Sequence, residues 1–330
     1  MMSVIQLPYK EKKTAIQLIE EVFKRNGIEF NLISETEAIA YLEDRNYYYK
    51  FACYRKNFLR DKKNKYIDLD FQYLISLSKL DKDLRYILLQ MTLEIEHFLK
   101  VKILKDVSYN NSVDGYAIVQ DYIFSYNTKY NNNPISIESL IARGKNKNSA
   151  NHGIYTKVTA NQKYIAVWQL LEIIQMKELQ YFFEYYFTRY RQSGLNVVAY
   201  KSLIISTRYI RNAAAHNSPL LVNLSSCPIN AFTEQNKVNQ KYINTLLTPH
   251  LNNARIALAI RPTYRFKDIA GVLKLYKLLK HGYSTSEDPL VVSLRNLLEN
   301  VKNNPPCPKL NNDIVFFFEN IHKLFKDIYK

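Results

Sequence analysis

Glycine and proline are scarce, with 7 Gly and 10 Pro in 330 residues. An all-β sandwich needs turn signals every few residues, so this chain does not read as one. No G-x-G-x-x-G or G-x-x-x-x-G-K sequence is present, which argues against a doubly wound nucleotide-binding fold. The three cysteines, Cys53, Cys227 and Cys307, are odd in number and lack metal-type spacing. They fit no complete disulfide framework and suit a reducing cytoplasm. The six histidines contain no H-x-x-x-H or H-E-x-x-H spacing, so no metal and no cofactor are expected. No 18-residue apolar run occurs, and Met1–Lys10 has no apolar signal-peptide core. A soluble, cytoplasmic protein without membrane contact is the expectation.

Hydrophobic residues make up 47% of the chain, enough for a sizeable core in one large domain or two moderate ones. The formal charge is +16, from 46 Lys plus Arg against 30 Asp plus Glu. Such an excess attracts polyanions, nucleic acid first among them. Lysine-rich proteins are also often simply soluble. The 27 tyrosines do not argue for base stacking, because Tyr, Asn, Ile and Lys all rise together in AT-rich coding sequence.

Helical periodicity dominates the chain. Pro8–Gly27 reads as a first helix, with Gly27 where a C-terminal cap would stand. Ser34 and Glu37 form a capping-box pattern before a short helix, and Arg45–Phe58 is crowded with aromatics. Two strong helices are expected next, one from about Asp70 to Leu80 and one from Asp81 to about Asp106. Residues 109–163 are the least periodic, with Arg143–His152 reading as a mobile basic loop. A long helix is expected over Tyr164–Tyr190 and another from Val197 to about His216. After a connector at Cys227–Lys237, further helices are expected over Tyr242–Ile260, Phe266–Lys280, Leu290–Val301 and Asp313–Tyr329. Three segments result: an N-terminal helical segment (1–65), a core with a basic insertion (66–230, insertion 109–163), and a C-terminal helical extension (231–330).

The residues best suited to chemistry are Arg211-Asn212-Ala213-Ala214-Ala215-His216. At about 100° per residue, Asn212 and His216 share one face of a helix, with Arg208 on that side and Arg211 at its edge. His216 is suited to proton transfer with a ribose 2′-hydroxyl or a leaving 5′ oxygen. Arg211 is suited to holding a phosphate bidentately, and Asn212 to orienting either group. Such a set cleaves RNA to a 2′,3′-cyclic phosphate and a 5′-hydroxyl, and spares DNA. The bland alternative is a histidine that merely favours the helix dipole from the C-terminal end.

Several segments resemble the abortive-infection (Abi) proteins of the AbiD/AbiF type: Tyr41–Tyr54 (Y-L-E-D-R-N-Y-Y-Y-K-F-A-C-Y), Leu80–Arg85 running into Glu94-Ile95-Glu96, Val167–Leu179, and Ile210–Asn217. The resemblance covers about residues 8–225, and its most specific piece is R-N-x-x-x-H. That family is similar to HEPN domains, whose R-x(4–6)-H motif carries ribonuclease activity. The resemblance implies an all-α fold, a HEPN-type helical bundle core with additional N- and C-terminal helices. It implies Arg211 and His216 as catalytic residues with Asn212 as the motif's polar neighbour. It also implies a homodimer, because such sites are built from two motif copies and this chain has one. A small non-coding RNA as bound partner is implied for some members.

Other candidates each have a structural explanation beside the functional one. Glu96 and Lys100 stand one turn apart, either as support for the active helix or as a surface ion pair. Arg143, Lys145, Lys147, Lys157 and Lys163 are either an RNA clamp or the solvated charges of a loop. The expected function is an antiphage, metal-independent endoribonuclease. The rivals are a non-catalytic RNA-binding protein of a toxin–antitoxin or defence system, and an interaction module that senses a phage protein.

Overall fold

A computed structural model describes residues 11–160, 164–190, 194–224, 264–280, 287–307 and 312–329. Every regular element among them is helical, apart from isolated bridges at Glu29–Asp70 and Arg60–Tyr66. The all-α expectation holds for these residues. The connector at 227–237 and the expected helix at 242–260 lie outside them.

Caps account for several helix starts. Thr14 and Gln17 form a capping box before α1 (Ala15–Leu18). The chain continues through a π turn (Ile19–Phe23) and a 3-10 turn (Lys24–Asn26) to Gly27, whose φ of +80° closes the element. Ser34 and Glu37 cap α2 (Glu35–Asp44) as their spacing indicates. In the aromatic stretch, α3 (Tyr48–Ala52) buries Phe51, which packs on Phe23 and Phe71.

The spine is α4 (Phe71–Tyr109), a single helix of 39 residues. The sequence predicts two helices here, with Asp81 starting the second. Asp81 lies instead in the helix interior, fully buried, and its carboxylate serves tertiary contacts rather than a cap. The opposite difference occurs at 164–190, where one expected helix is two: α8 (Val167–Ile173) and α9 (Met176–Arg189). Glu178 accepts from the Gln175 amide at 2.7 Å and restarts the chain as α9. The weakly periodic insertion also folds, into α5 (Ala117–Lys129), α6 (Ile137–Ile141) and α7 (His152–Ala160).

The helix α10 (Val197–Ala215) runs antiparallel to α4. Arg85 meets Asn217 at one end, and the Lys102 ammonium lies 5.9 Å from the Tyr200 ring at the other. The last helices are α11 (Tyr264–Leu279), α12 (Pro289–Asn303) and α13 (Asn312–Ile328). They are no appendage. Residues from α11 to α13 share one continuous apolar core with α1, α4, α9 and α10. A polar knot ties them in: the Tyr276 hydroxyl meets Glu94 at 2.8 Å and Asp288 at 3.0 Å, and Lys280 pairs with both carboxylates. Asp288 also caps α12 through the Leu290 amide at 2.9 Å, with Pro289 as the first helical residue. No described helix is long and apolar enough to cross a membrane.

Candidate active site at the end of α10

The segment Arg211–His216 forms the last turn of α10 and its C-cap. The His216 amide donates to the Asn212 carbonyl at 3.0 Å, so the two residues stand one turn apart. Asn217 adopts φ +55°, its amide donates to Ala214 at 3.0 Å, and the Ser218 amide donates to Ala213 at 2.8 Å. This is a Schellman closure with asparagine in the left-handed position, where asparagine is tolerated better than most residues. It stops the helix at His216 and leaves that side chain exposed.

What holds this end in place is anchored on a buried ion pair. Arg85 donates from Nε to Asp81 Oδ2 at 2.7 Å and from Nη1 to Asn217 Oδ1. Asp81 Oδ1 accepts from the Leu220 and Leu221 amides, each at 2.7 Å. Asn57 continues the clamp, donating to the Leu221 carbonyl at 2.7 Å and accepting from the Leu224 amide at 3.1 Å. Asp81 is 0% and Arg85 1% exposed, so neither charge has water as an alternative partner. The surroundings are dry enough to move other groups. Burial, then the Asp81 carboxylate, pushes the Cys53 thiol up to about 12, which rules it out as a thiolate nucleophile near neutrality. Burial, then Arg85, lowers the Lys50 ammonium below its ordinary range.

Asp81, Arg85, Asn57 and Asn217 are absent from the set of site residues that the motif alone suggests. A signal for the first two is present: Asp81 and Arg85 sit four apart within the apolar stripe Leu77, Leu84 and Leu88. A charged pair on an apolar face is a buried pair or a misread face.

Outside this buried clamp, Arg211 is half-buried, and its Nη1 lies 3.4 Å from the Asn212 carboxamide oxygen. Arg211 Nε is buried and has no hydrogen-bond partner among the described residues. Asn212 is exposed. Arg208 is half-buried, with its guanidinium 5.5 Å from the Tyr209 ring centroid. The helix end therefore offers an imidazole, a carboxamide and guanidinium donors to whatever docks there.

No hydrogen bond or ion pair joins the other candidates to these among the described residues. Glu96 and Lys100 form a half-buried pair at 3.4 Å, about 16 Å along α4 from Arg85 at 1.5 Å per residue. The second Glu96 carboxylate oxygen is buried without a partner among the described residues. Arg143 is already used inside the protein. Its fork holds Glu178 at 3.0 and 2.9 Å and the Ile173 carbonyl at 2.9 Å, stitching the end of α8 to the start of α9. The hydrogen bonds and the Coulomb attraction of Glu178 hold its guanidinium above the ordinary range. The Arg143–His152 stretch, expected as a loose loop, is an exposed run of turns pinned at its two ends. Gly144 is buried so closely that an added Cβ would meet the Asn151 carbonyl at 2.5 Å, and its own carbonyl lies 3.0 Å from His152 Nδ1. Lys145, Lys147 and Lys157 are exposed, and Lys163 lies outside the described residues. Among the described residues no group of three or more His, Cys, Asp or Glu is placed to hold a metal ion.

A family model described as Abi-like protein matches residues 40–222. The matched span contains α4, the Asp81–Arg85 pair and all of Arg211–Asn217. No curated protein and no solved structure matches the chain. With more than half of its 330 residues inside that match, the chain belongs to the family of Abi-like proteins.

Proposed function

We propose that this protein is an endoribonuclease of abortive infection, with Arg211, Asn212 and His216 at its HEPN-like R-x4-H site. Membership of the Abi-like family points to a defence role against phage. The observation that carries the enzymatic reading is the buried Asp81–Arg85 pair, which reaches out to Asn217 and fixes an exposed histidine on the same helix turn as an arginine with an unpaired buried Nε. Preorganised donors of this kind stabilise charge as it develops.

In the reaction the ribose 2′ oxygen attacks phosphorus and gives its proton to a base, while the bond to the 5′ oxygen breaks and that oxygen takes up a proton. His216 performs one of the two transfers. Arg211 holds the non-bridging oxygens, and Asn212 orients the phosphate or the imidazole. One motif histidine per chain leaves the second transfer to a second copy, so the active form is a two-fold homodimer facing these helix ends. The charge of +16 supports a tightly held RNA, as substrate or as a small non-coding RNA that restrains the enzyme. The exposed Lys145, Lys147 and Lys157 support RNA contact on a second surface, which alone would also suit a binder without catalysis.

The test incubates the purified full chain with RNA and reads the ends. Cyclic phosphate and 5′-hydroxyl ends that disappear in His216→Ala and Arg211→Ala, with RNA affinity retained, are the expected result. Cleavage that survives both substitutions, or that leaves 3′-hydroxyl ends, overturns the assignment.

A further inference from the structure

A cleft of about 530 Å³ opens between α12 and α13, far in sequence from the α10 end. Its volume falls within the ~300–1,000 Å³ of small-molecule sites. Its apolar wall comprises Leu298, Val301, Pro305, Pro306 and Phe318, which together offer flat surfaces. Its polar side comprises Lys302 from α12 and Glu319, His322, Lys323 and Lys326 from α13.

The decisive group is His322. It is 8% exposed, it lines the cleft, and its Nε2 is buried with no hydrogen-bond partner among the described residues. An orphaned polar atom buried beside an opening is rare in native proteins and calls for a partner. The three lysines are exposed and form no salt bridge with any described carboxylate. Burial, then the nearby Lys326 and Lys302, lowers the His322 pKa, while Glu299 partly opposes this. With three lysines against the single glutamate Glu319, the lining of the cleft is net positive.

We propose that this cleft binds a nucleoside monophosphate. Its phosphate dianion matches the net charge of three lysines and one glutamate. Lys302, Lys323 and Lys326 hold the phosphate oxygens, and a turn of the His322 ring on binding gives its buried Nε2 one of them as partner. The planar base lies against Phe318 and the Pro305–Pro306 wall. Glu319 accepts from ribose hydroxyls or a base amino group, a role that a purely lipid-like phosphate would leave unused. The site shares no residue with Arg211–His216, so its failure leaves the nuclease reading untouched.

Calorimetric titration of the full chain, stripped of nucleic acid at high salt, tests this. The probes are the four common nucleoside 5′-monophosphates, the matching nucleosides and inorganic phosphate. At least one monophosphate should bind at one site per chain, at least tenfold tighter than its nucleoside or phosphate. The surface variant Lys302→Glu/Lys326→Glu should weaken that binding at least thirtyfold with an unchanged melting temperature. His322→Gln should weaken it at least fivefold. Three results overturn the proposal: no saturable binding up to millimolar probe, affinity undiminished in the lysine variant, or inorganic phosphate binding as tightly as every nucleotide. The lysine variant keeps the test decisive even if His322→Gln misfolds.

Discussion

Replacing Arg85 by methionine should unfasten the end of α10. In the native protein Asp81 has a cation at 2.7 Å and two amides, from Leu220 and Leu221, at 2.7 Å each. The substitution would leave the amides in place but strand a carboxylate that is 0% exposed. Breaking one half of a buried pair costs about 3–5 kcal/mol. At roughly 2 °C per kcal/mol for a chain of this size, the melting midpoint should fall by ~6–10 °C. The companion Asp81→Asn/Arg85→Met separates electrostatics from packing. Its asparagine oxygen can still accept from both amides, but no charge is buried, so the double variant should melt above Arg85→Met alone. Differential scanning calorimetry of the three proteins reads the order directly. An Arg85→Met midpoint within about 2 °C of the native one, or a double variant below the single, would refute the reasoning.

Asn217→Gly keeps the φ of +55° without steric cost but removes the acceptor for Arg85; urea titration should show a loss of about 1.5–3 kcal/mol. Arg143→Ala should lower the melting temperature yet leave the salt dependence of RNA binding unchanged, since its fork is occupied by Glu178 and Ile173. Lys145→Ala/Lys147→Ala/Lys157→Ala should do the reverse, flattening the log–log salt slope by ~0.7 for each single-strand phosphate that is no longer neutralised; a steep slope that survives would remove that surface from RNA binding. Burial pushes the Asp268 carboxyl up to about 7, against the opposing pull of Arg265 and a hydrogen bond with Ser206. The folded state thus keeps a proton that the unfolded chain releases near pH 4, so this contribution to stability is full below pH 4 and is lost as pH rises to about 7. Asp268→Asn should therefore gain stability relative to the native protein between pH 5 and pH 8, and denaturant melts at the two values check it.

The periodic signals transferred well. Ser34–Glu37, Gly27 and the limits of α10 were legible because caps and a 3.6-residue stripe are local properties, decided by backbone groups within one turn. The place of Arg211–His216 at the end of α10 was legible too, since helical spacing decides which residues share that last turn. Two of the departures have a common origin. Asp81 looks like a helix start on local grounds, but its carboxylate is claimed by amides 139 and 140 residues away, so α4 runs through it. Arg143 looks like a loose basic residue until the carbonyl at the end of α8 and the carboxylate at the start of α9 are brought to it. The break between α8 and α9 was missed for a different, local reason: no glycine or proline marks it, and only the Gln175–Glu178 capping contact restarts the helix. A local pattern states what a side chain is able to do. Which partner it takes depends on groups distant in the chain, and burial makes that choice binding because water no longer competes for the same hydrogen bonds.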